Sequence, residues 1–496
     1  MDSLLHGFEV ALSGTNLLYV LLGVTVGMVI GVLPGLGPAP TIALMLPLTY
    51  GLGPETAVIL LAGVYYGSMY GGTITSVLLR IPGEAASVVT AIDGYEMARQ
   101  GRAGHALGIS AIGSFIGGTF AILGLTLMAP TLARFAVGFG PAEYAALAAF
   151  GLLLASYLGT STFPRAMIAV FVGLLLATVG LDPVAGQPRF TGGILELFGG
   201  LDIVVVVAIG LFGIGEVLHS LEQERDGGGI IRTRFRDLFP GRAELRRSRG
   251  AITRGSILGF IIGALPGGGG MVSSLGSYAM EKKLSKHPEE FGRGAIEGVA
   301  GPETANNASS TSAFIPLLTL GIPSNAVLAL IFGALLLQGI TPGPRLVAEN
   351  PDVFWGVIAS MYIGNIILLL LSLPLVGVFA QLLRVRLSIL APFALVLSLI
   401  GAYSVNSSVF DVWMVMVFGV LGYGLRKFGI EPGPMVLGFV LGTILETSFR
   451  QAMLISGGSL AIFFQRPVAL VLVLSALLML GMPVMRRLLA RRAAAS

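Results

Sequence analysis

Two short Gly/Pro motifs interrupt apolar segments of this sequence and could bind a ligand through the backbone. Residues 31–37 read Gly-Val-Leu-Pro-Gly-Leu-Gly, and residues 263–269 read Gly-Ala-Leu-Pro-Gly-Gly-Gly. Such a break frees backbone carbonyls and amides, which lipid cannot satisfy, so these groups must line a wet cavity or be buried in protein. Freed carbonyls can coordinate a cation, and the start of a following helix can hold an anion. A plain kink that permits tight helix packing is the alternative interpretation.

Polar side chains follow each motif at some distance. Thr73, Thr75 and Ser76 lie in an otherwise apolar segment, and residues 306–312 read Asn-Asn-Ala-Ser-Ser-Thr-Ser. Buried hydroxyls and amides are costly when unpaired, so we expect these runs to face a cavity or a loop. Neutral donors suit a carboxylate ligand, and their oxygens suit an alkali cation. Hydrogen bonding between neighbouring helices is the alternative role.

The candidate substrate-binding residues combine the glycines of the breaks with nearby polar residues: Gly35, Gly37, Thr73, Thr75, Ser76, Gly267, Gly269, Ser273, Asn306, Asn307, Ser309, Ser324 and Asn325. A candidate sodium site lies near Gly35, Gly267 and Asn306. No catalytic residue is predicted, because the four histidines show no metal-ligand spacing and no phosphate-binding loop or nucleophile–base set occurs. We therefore do not expect an enzyme.

Placing an ionisable side chain in or near a membrane-spanning segment costs free energy, so such residues are candidates for a function. Glu84 and Asp93 follow Pro82, and we expect them where a helix is broken or at the membrane interface. Arg80 could pair with Glu84 at helical i, i+4 spacing, or it could attract an anionic substrate.

The composition is that of a membrane protein. Only 11% of the 496 residues are charged and 54% are apolar, whereas soluble domains have about 25% charged residues. There is no cysteine, so disulfide and thiolate chemistry are excluded. The first residues lack the basic region of a cleaved signal peptide, and we expect the first apolar segment to remain as a spanning helix.

Apolar runs of suitable length recur along the whole chain. The predicted spanning or partly spanning segments are residues 16–36, 55–79, 104–128, 141–158, 164–180, 201–219, 251–266, 292–302, 322–340, 353–382, 387–403, 409–426, 433–448 and 467–485. Several are too short or too polar to cross alone. The predicted fold class is an all-α polytopic membrane protein with about 11–12 transmembrane helices, some of them re-entrant or broken.

The same landmarks occur in both halves of the chain. The two glycine motifs are 232 residues apart, and a glycine lies four residues upstream of each, at Gly27 and Gly259. Ile-Pro-Gly at residues 81–83 is echoed by Ile-Pro-Ser at residues 322–324, 241 residues later. Broken apolar segments at matching places in two halves are typical of secondary transporters, whose substrate binds at the breaks.

Charge sets the domain boundaries and the orientation. Residues 221–254 carry nine arginines, which indicates a cytoplasmic linker between residues 1–220 and residues 255–496. The second motif segment follows this linker and so enters from the cytoplasm. The first is preceded by no basic residue and would enter from outside, which predicts a two-fold inverted repeat.

Six ordered motifs resemble those of one transporter family. They are Gly-Val-Leu-Pro-Gly-Leu-Gly-Pro (31–38), Tyr-Gly-Ser-Met-Tyr-Gly-Gly (66–72), Ile-Pro-Gly-Glu (81–84), Asp-Gly-Tyr (93–95), Gly-Pro-Glu-Thr-Ala-Asn-Asn (301–307) and Ile-Pro-Leu-Leu-Thr-Leu-Gly-Ile-Pro (315–323). From about residue 16 to about residue 470 the chain resembles the large membrane subunit of tripartite tricarboxylate transporters. Arg80 departs from the family pattern, in which we expect Asn.

The resemblance implies a function and partners. It implies uptake of carboxylates, such as citrate and other tricarboxylates, driven by a sodium or proton gradient and without a further cofactor. A small membrane subunit and a periplasmic substrate-binding protein would complete the system in the bacterial inner membrane. A homodimer, the helix motion and the particular carboxylate stay open. Another secondary transporter of organic anions and an ion channel are the alternatives.

Overall fold

The chain is almost entirely helical in a computed structural model, which describes residues 2–33, 37–159, 161–182, 184–222, 235–382 and 387–495. The helices of the first half are α1 (Asp2–Ala11), α2 (Gly14–Val32), α3 (Pro38–Met45), α4 (Pro54–Leu79), α5 (Thr90–Arg99), α6 (Ala103–Ala136), α7 (Pro141–Leu158), α8 (Phe163–Ala177), α9 (Ile203–Ala208) and α10 (Gly215–Glu222). A π-helical turn, Ile209–Ile214, joins α9 to α10. One short hairpin pairs β1 (Gly180–Leu181) with β2 (Pro188–Arg189).

The described residues of the second half form twelve helices. They are α11 (Arg242–Gly263), α12 (Gly270–Leu284), α13 (Glu297–Ser312), α14 (Phe314–Leu320), α15 (Ala326–Leu337), α16 (Leu346–Glu349), α17 (Pro351–Leu382), α18 (Leu387–Asn406), α19 (Val409–Lys427), α20 (Pro432–Ile455), α21 (Ile462–Gln465) and α22 (Pro467–Ala495). Short 3-10 turns occur at Leu46–Thr49, Ala85–Val88, Leu195–Asp202, Phe235–Leu238 and Pro288–Glu290.

Nine helices of the described residues are long and apolar enough to span a membrane, and four shorter apolar helices accompany them. This confirms an all-α polytopic membrane protein. Most predicted segments coincide with helices within a few residues; residues 55–79, for example, are α4, and residues 409–426 are α19. Hydropathy succeeds here because each spanning helix needs about 20 apolar residues regardless of its partners.

Glycine ladders hold together the first two long helices of each half. In α2, a methyl group at any of three glycines one turn apart would overlap a backbone carbonyl of α4; the pairs are Gly23 with Leu60, Gly27 with Val64, and Gly31 with Ser68. The same contacts join α11 to α13, where the pairs are Gly255 with Gly301, Gly259 with Ala305, and Gly263 with Ser309. Small residues of this kind allow membrane helices to approach closely.

The ladders make the internal repeat visible in the packing. The glycines of α2 and α11 are 232 residues apart, and the carbonyls that they face are 241 residues apart. The same 241-residue separation relates Arg80, the C-cap of α4, to Gly321, the C-cap of α14, and both adopt a left-handed backbone, with φ of 61° and 69°. In the second half α13 already ends at Ser312, and α14 continues to this cap. Each half then starts a new helical turn with a side-chain cap: Glu84 accepts from the Ala86 amide, and Asn325 from the Leu328 amide.

A long helix of each half also packs against the buried helix of the other half. On α13, Asn307 donates to Ser114 of α6 at 2.7 Å. On α4, Tyr66 lies against Gly364 of α17, where a methyl group would overlap the tyrosine hydroxyl. Tyr66 and Asn307 are 241 residues apart, and Ser114 and Gly364 are 250 residues apart. The contact between the buried helix of one half and the long helix of the other half therefore occurs twice, once in each direction.

One predicted segment differs from the structure, and the linker predicted at residues 221–254 stays a prediction. The segment predicted at residues 292–302 is displaced, because α13 begins at Glu297 and continues through the whole Asn/Ser run to Ser312. The Arg-rich segment is helical from Arg242 onwards, as the start of α11, while residues 223–234 lie outside the described residues.

Candidate functional site

The candidate site lies between two helices that are buried throughout. Every residue of α4 from Thr56 to Leu78 is buried, as is every residue of α13 from Gly298 to Ser312. The polar run of α13 is therefore in the protein interior and helical, rather than in a loop. Its buried side chains must find partners in the protein or bind a ligand, because an unpaired polar group in the protein interior is costly.

Glu303 of α13 is held by hydroxyl groups of the first half. The residue is only 1% exposed. It accepts a hydrogen bond from Thr73 of α4 at 2.6 Å and another from Thr90 at the start of α5. A residue of the second half thus completes the polar cluster of the first half.

Glu84 makes the reciprocal contact. It caps the turn after α4 by accepting from the Ala86 amide at 2.8 Å, and its other carboxylate oxygen accepts from the Asn306 amide of α13 at 3.1 Å. Both Glu84 and Asp93 are buried, so the membrane interface, one of the two expected positions, is wrong. Glu84 occupies the other expected position, a helix break, since it caps the turn that follows the end of α4. The i, i+4 pairing of Arg80 with Glu84 is also wrong, since α4 ends at Leu79 and the guanidinium lies over the ring of Tyr95.

Two buried oxygens near this cluster have no hydrogen-bond partner among the described residues. They are Oδ1 of Asn306 and Oγ of Ser309. The Asn306 oxygen lies directly beside Gly270, the first residue of α12, where a methyl group would overlap it. An unpaired buried polar atom costs about 1–3 kcal/mol, which a bound ligand can recover.

The starts of α3 and α12 both face open space. Their N-caps are Gly37 and Gly269, 232 residues apart, and a methyl group at either would meet no atom within 4 Å. The first amides of a helix have no intrahelical acceptor, so they are available to an anion. These two predicted glycines are the ones with room for a ligand.

Gly267 has a different role. Its φ of 81° is a left-handed backbone that favours glycine, and a methyl group there would overlap the amide of Ala155 in α7. Its own amide donates to the Ser324 carbonyl at 2.8 Å, which ties this break to the Pro323 turn. Gly35 lies outside the described residues, so the candidate sodium site near Gly35, Gly267 and Asn306 stays a prediction.

The remaining predicted residues bind other parts of the protein. Thr75 donates to Val32, Ser76 to Ser87, Ser273 to Gly269, Asn307 to Ser114, Ser324 to Ala313 and Asn325 to Tyr65. Thr75 and Asn325 nevertheless connect separate helices near the breaks. Their hydrogen bonds support the interpretation that part of the polar run joins helices.

Asp93 is a cross-half residue whose contact the sequence did not reveal. One carboxylate oxygen accepts from the backbone amides of Gly292, Gly294 and Ala295 at 2.8–2.9 Å. The other accepts from the Tyr278 hydroxyl at 2.8 Å. Asp93 therefore anchors the segment before α13 to α5. Backbone donors have no sequence signature, and Thr90, the partner of Glu303, has none either.

These features define a class: a polytopic membrane protein in which two related halves bury a polar cluster between them. The chain belongs to the family described as the tripartite tricarboxylate transporter TctA family, whose model matches residues 17–437. It is therefore a component of a tripartite transporter.

Two relatives from one bacterium are similar to this chain over most of their own length. An uncharacterised 52.8 kDa protein in the TAR-I ttuC' 3' region of Agrobacterium vitis is 49% identical over 469 residues, which are 95% of this chain and 93% of the relative. An uncharacterised protein in the TAR-II ttuC' 3' region of the same organism is 53% identical over 211 residues, or 42% of this chain and 87% of the relative. No solved structure matches the chain.

Proposed function

We propose that this chain is the conducting subunit of a secondary uptake system for carboxylates such as citrate or other tricarboxylates, driven by a sodium or proton gradient. A periplasmic substrate-binding protein would deliver the substrate, and a small membrane subunit would accompany this chain in the bacterial inner membrane. A second copy of the chain is a further candidate partner.

One observation carries the proposal: the open start of α12 adjoins Oδ1 of Asn306, a buried oxygen that has no partner in the described protein, and Ser309, whose Oγ also has none, lies three residues further along α13. The α12 amides and the Ser309 hydroxyl can donate hydrogen bonds to a carboxylate. Asn306 Oδ1 can accept from a ligand or contact a cation. A bound cation offsets substrate charge, so binding of the two would be favourably coupled.

The proposed alternating access is a movement of the α12–α13 region relative to its neighbours. The breaks before α3 and α12 supply the places at which such a movement can occur. Whether the motion is an elevator or a rocking motion is left to experiment.

Transport by a Ser309→Ala variant tests the site. The change removes no hydrogen bond within the described protein, because Ser309 Oγ has no partner there. We expect normal folding and a clear loss of labelled citrate uptake, about tenfold if one hydrogen bond to the substrate of about 1.5 kcal/mol is lost. Uptake would be measured in vesicles that contain the chain with its two partner proteins, with sodium and proton gradients applied separately.

Ser310→Ala is the matched control, since this neighbour is equally buried but donates to the Asn307 carbonyl of its own helix. Its uptake should stay near that of the unchanged chain. Equal uptake in both variants would remove Ser309 from the site. Vesicles preloaded with unlabelled citrate separate a carrier from a channel, because internal citrate accelerates the entry of label through a carrier but not through a channel.

A further inference from the structure

Two buried carboxylates connect the halves, and their charge is not balanced by the contacts described above. Glu84 of the first half accepts from Asn306, and Glu303 of the second half accepts from Thr73 and Thr90. Glu303 and Asn306 are three residues apart on α13 and so lie on one helix face. The two carboxylates are thus parts of one cluster between α4, α5 and α13.

No basic side chain pairs with either carboxylate among the described residues. The basic groups on the elements packed around them are engaged elsewhere or exposed. Arg99 pairs with Glu96, Arg102 and His105 with Glu244, Arg247 with Glu290 and Glu297, and Arg254 with Glu281, while Arg80 lies over Tyr95. Arg134 of α6 and Arg242, Arg246 and Arg249 of α11 are exposed. Lys282 and Lys283 of α12 are exposed.

The acidic and phenolic neighbours supply no positive charge. Asp93 on α5 is already bound by three backbone amides and the Tyr278 hydroxyl. On α4, the Tyr65 hydroxyl accepts from Asn325, and Tyr70 donates to the Leu107 carbonyl. The described surroundings of the pair are therefore neutral or negative.

Burying an uncompensated carboxylate costs far more than a folded protein can supply, so such a group binds a proton or another cation. Two like charges in one buried cluster strengthen this tendency, and the proton then belongs to the pair. A proton suits this site better than a metal ion because most contacts to the carboxylates come from donors. A threonine hydroxyl can also reverse and accept from a protonated carboxyl group.

We propose that the Glu84–Glu303 pair carries the proton that couples substrate uptake to a proton gradient; this inference rests on the function proposed above. A proton from water on one side of the membrane forms an O–H bond to one carboxylate oxygen. When the site opens to the other side, that bond breaks and the proton passes to water there. Protonation lowers the negative charge of the cluster, so a carboxylate substrate binds the protonated form.

An infrared pH titration of the purified chain tests proton binding without any substrate. We expect the unchanged protein to show the carbonyl stretch of a buried protonated carboxyl group. This band should disappear in a Glu84→Gln/Glu303→Gln double variant, and each single variant should shift or weaken it. Gln keeps a carbonyl oxygen for the hydroxyl and amide donors, and thermal unfolding checks the fold of each variant.

Glu349→Gln is the matched control, because Glu349 is an exposed glutamate near Arg345. Its band should equal that of the unchanged protein. A band that persists in the double variant would show that the buried proton lies on another group and would overturn the proposal.

Transport in vesicles that contain all three subunits tests the coupling. Glu303→Gln should retain exchange of labelled for unlabelled citrate but lose accumulation driven by a pH gradient. Accumulation equal to that of the unchanged chain, or accumulation driven by sodium alone, would refute proton coupling by this pair. Absence of both citrate exchange and accumulation in the unchanged chain would instead count against the proposed citrate transport, and the infrared result would still decide where the proton binds.

Discussion

At the scale of single residues, the glycines of the two breaks divide into two kinds. Gly37 and Gly269 begin helices that face open space, whereas Gly267 has a left-handed backbone and packs against α7. The sequence places Gly267 and Gly269 in the same motif and cannot separate these roles. The difference depends on which neighbour each Cα faces after folding.

Two alanine substitutions in the second break should therefore cause different defects, one in transport and one in folding. Gly269→Ala has space and an ordinary extended backbone, with φ of −148°, so the protein should fold normally while uptake falls because the methyl group enters the ligand space. Gly267→Ala must adopt a left-handed backbone at a cost of about 1–2 kcal/mol and overlaps Ala155. Yield and monodispersity in detergent, together with citrate uptake, measure the two effects.

Unimpaired uptake by folded Gly269→Ala would show that the start of α12 is not part of the substrate site. A normal yield of Gly267→Ala would show that the contact with α7 can relax.

At the scale of elements, the glycine ladders fix how the first two long helices of each half pack. Gly27 and Gly259 sit at equivalent positions and face the carbonyls of Val64 and Ala305. The backbone contact leaves no volume for a side chain. The ladders act within each half, whereas the hydrogen bonds of Glu303 to Thr73 and Thr90 join the two halves.

Gly27→Ala and Gly259→Ala should destabilise the protein to a similar extent. Each methyl group would force the helices apart, and overpacking of this kind costs about 1–3 kcal/mol. The thermal unfolding midpoint, followed by the fluorescence of the two tryptophans, should fall in both variants. Gly424→Ala in α19 is the control, since a methyl group there meets nothing within 4 Å and helix propensity favours Ala by about 1 kcal/mol. A smaller effect at Gly27 or Gly259 than at Gly424 would contradict the role of the ladders.

At the scale of the whole molecule, helices of each half pack against helices of the other half around a shared interior. Asn365 of α17 donates to the carbonyl of Phe115 in α6 at 2.9 Å, and these residues are 250 apart. Ser114 and Gly364 are also 250 residues apart, so this separation relates equivalent positions of α6 and α17. Phe115 and Asn365 are therefore equivalent residues of the two halves that contact each other. Equivalent residues meet in this way at a two-fold axis. A two-fold axis can relate the halves of a parallel repeat or of an inverted repeat, so the inverted repeat, in which α2 and α11 would enter the membrane from opposite sides, stays a prediction.

Single cysteines can test that orientation because the chain has none of its own. Ser13→Cys precedes α2 and Gly241→Cys precedes α11, and both positions are exposed. A membrane-impermeant maleimide should label Ser13→Cys in intact spheroplasts, and Gly241→Cys only after the membrane is opened. Labelling of both from the same side would disprove the inverted orientation. The unchanged chain gives the background.

The sequence by itself determined the membrane class, most helix positions, the repeat and the family. These follow from local properties: apolar length sets a spanning helix, and Gly/Pro motifs survive as ordered landmarks in each half. Only the tertiary structure showed that the Asn/Ser run is a buried helix, that Glu303 binds Thr73 and Thr90 of the other half, and that Asp93 binds backbone amides about 200 residues away. Such contacts depend on which helix faces meet across the interior. Packing between segments that are distant in sequence determines which faces meet, and local sequence patterns in this chain do not predict it.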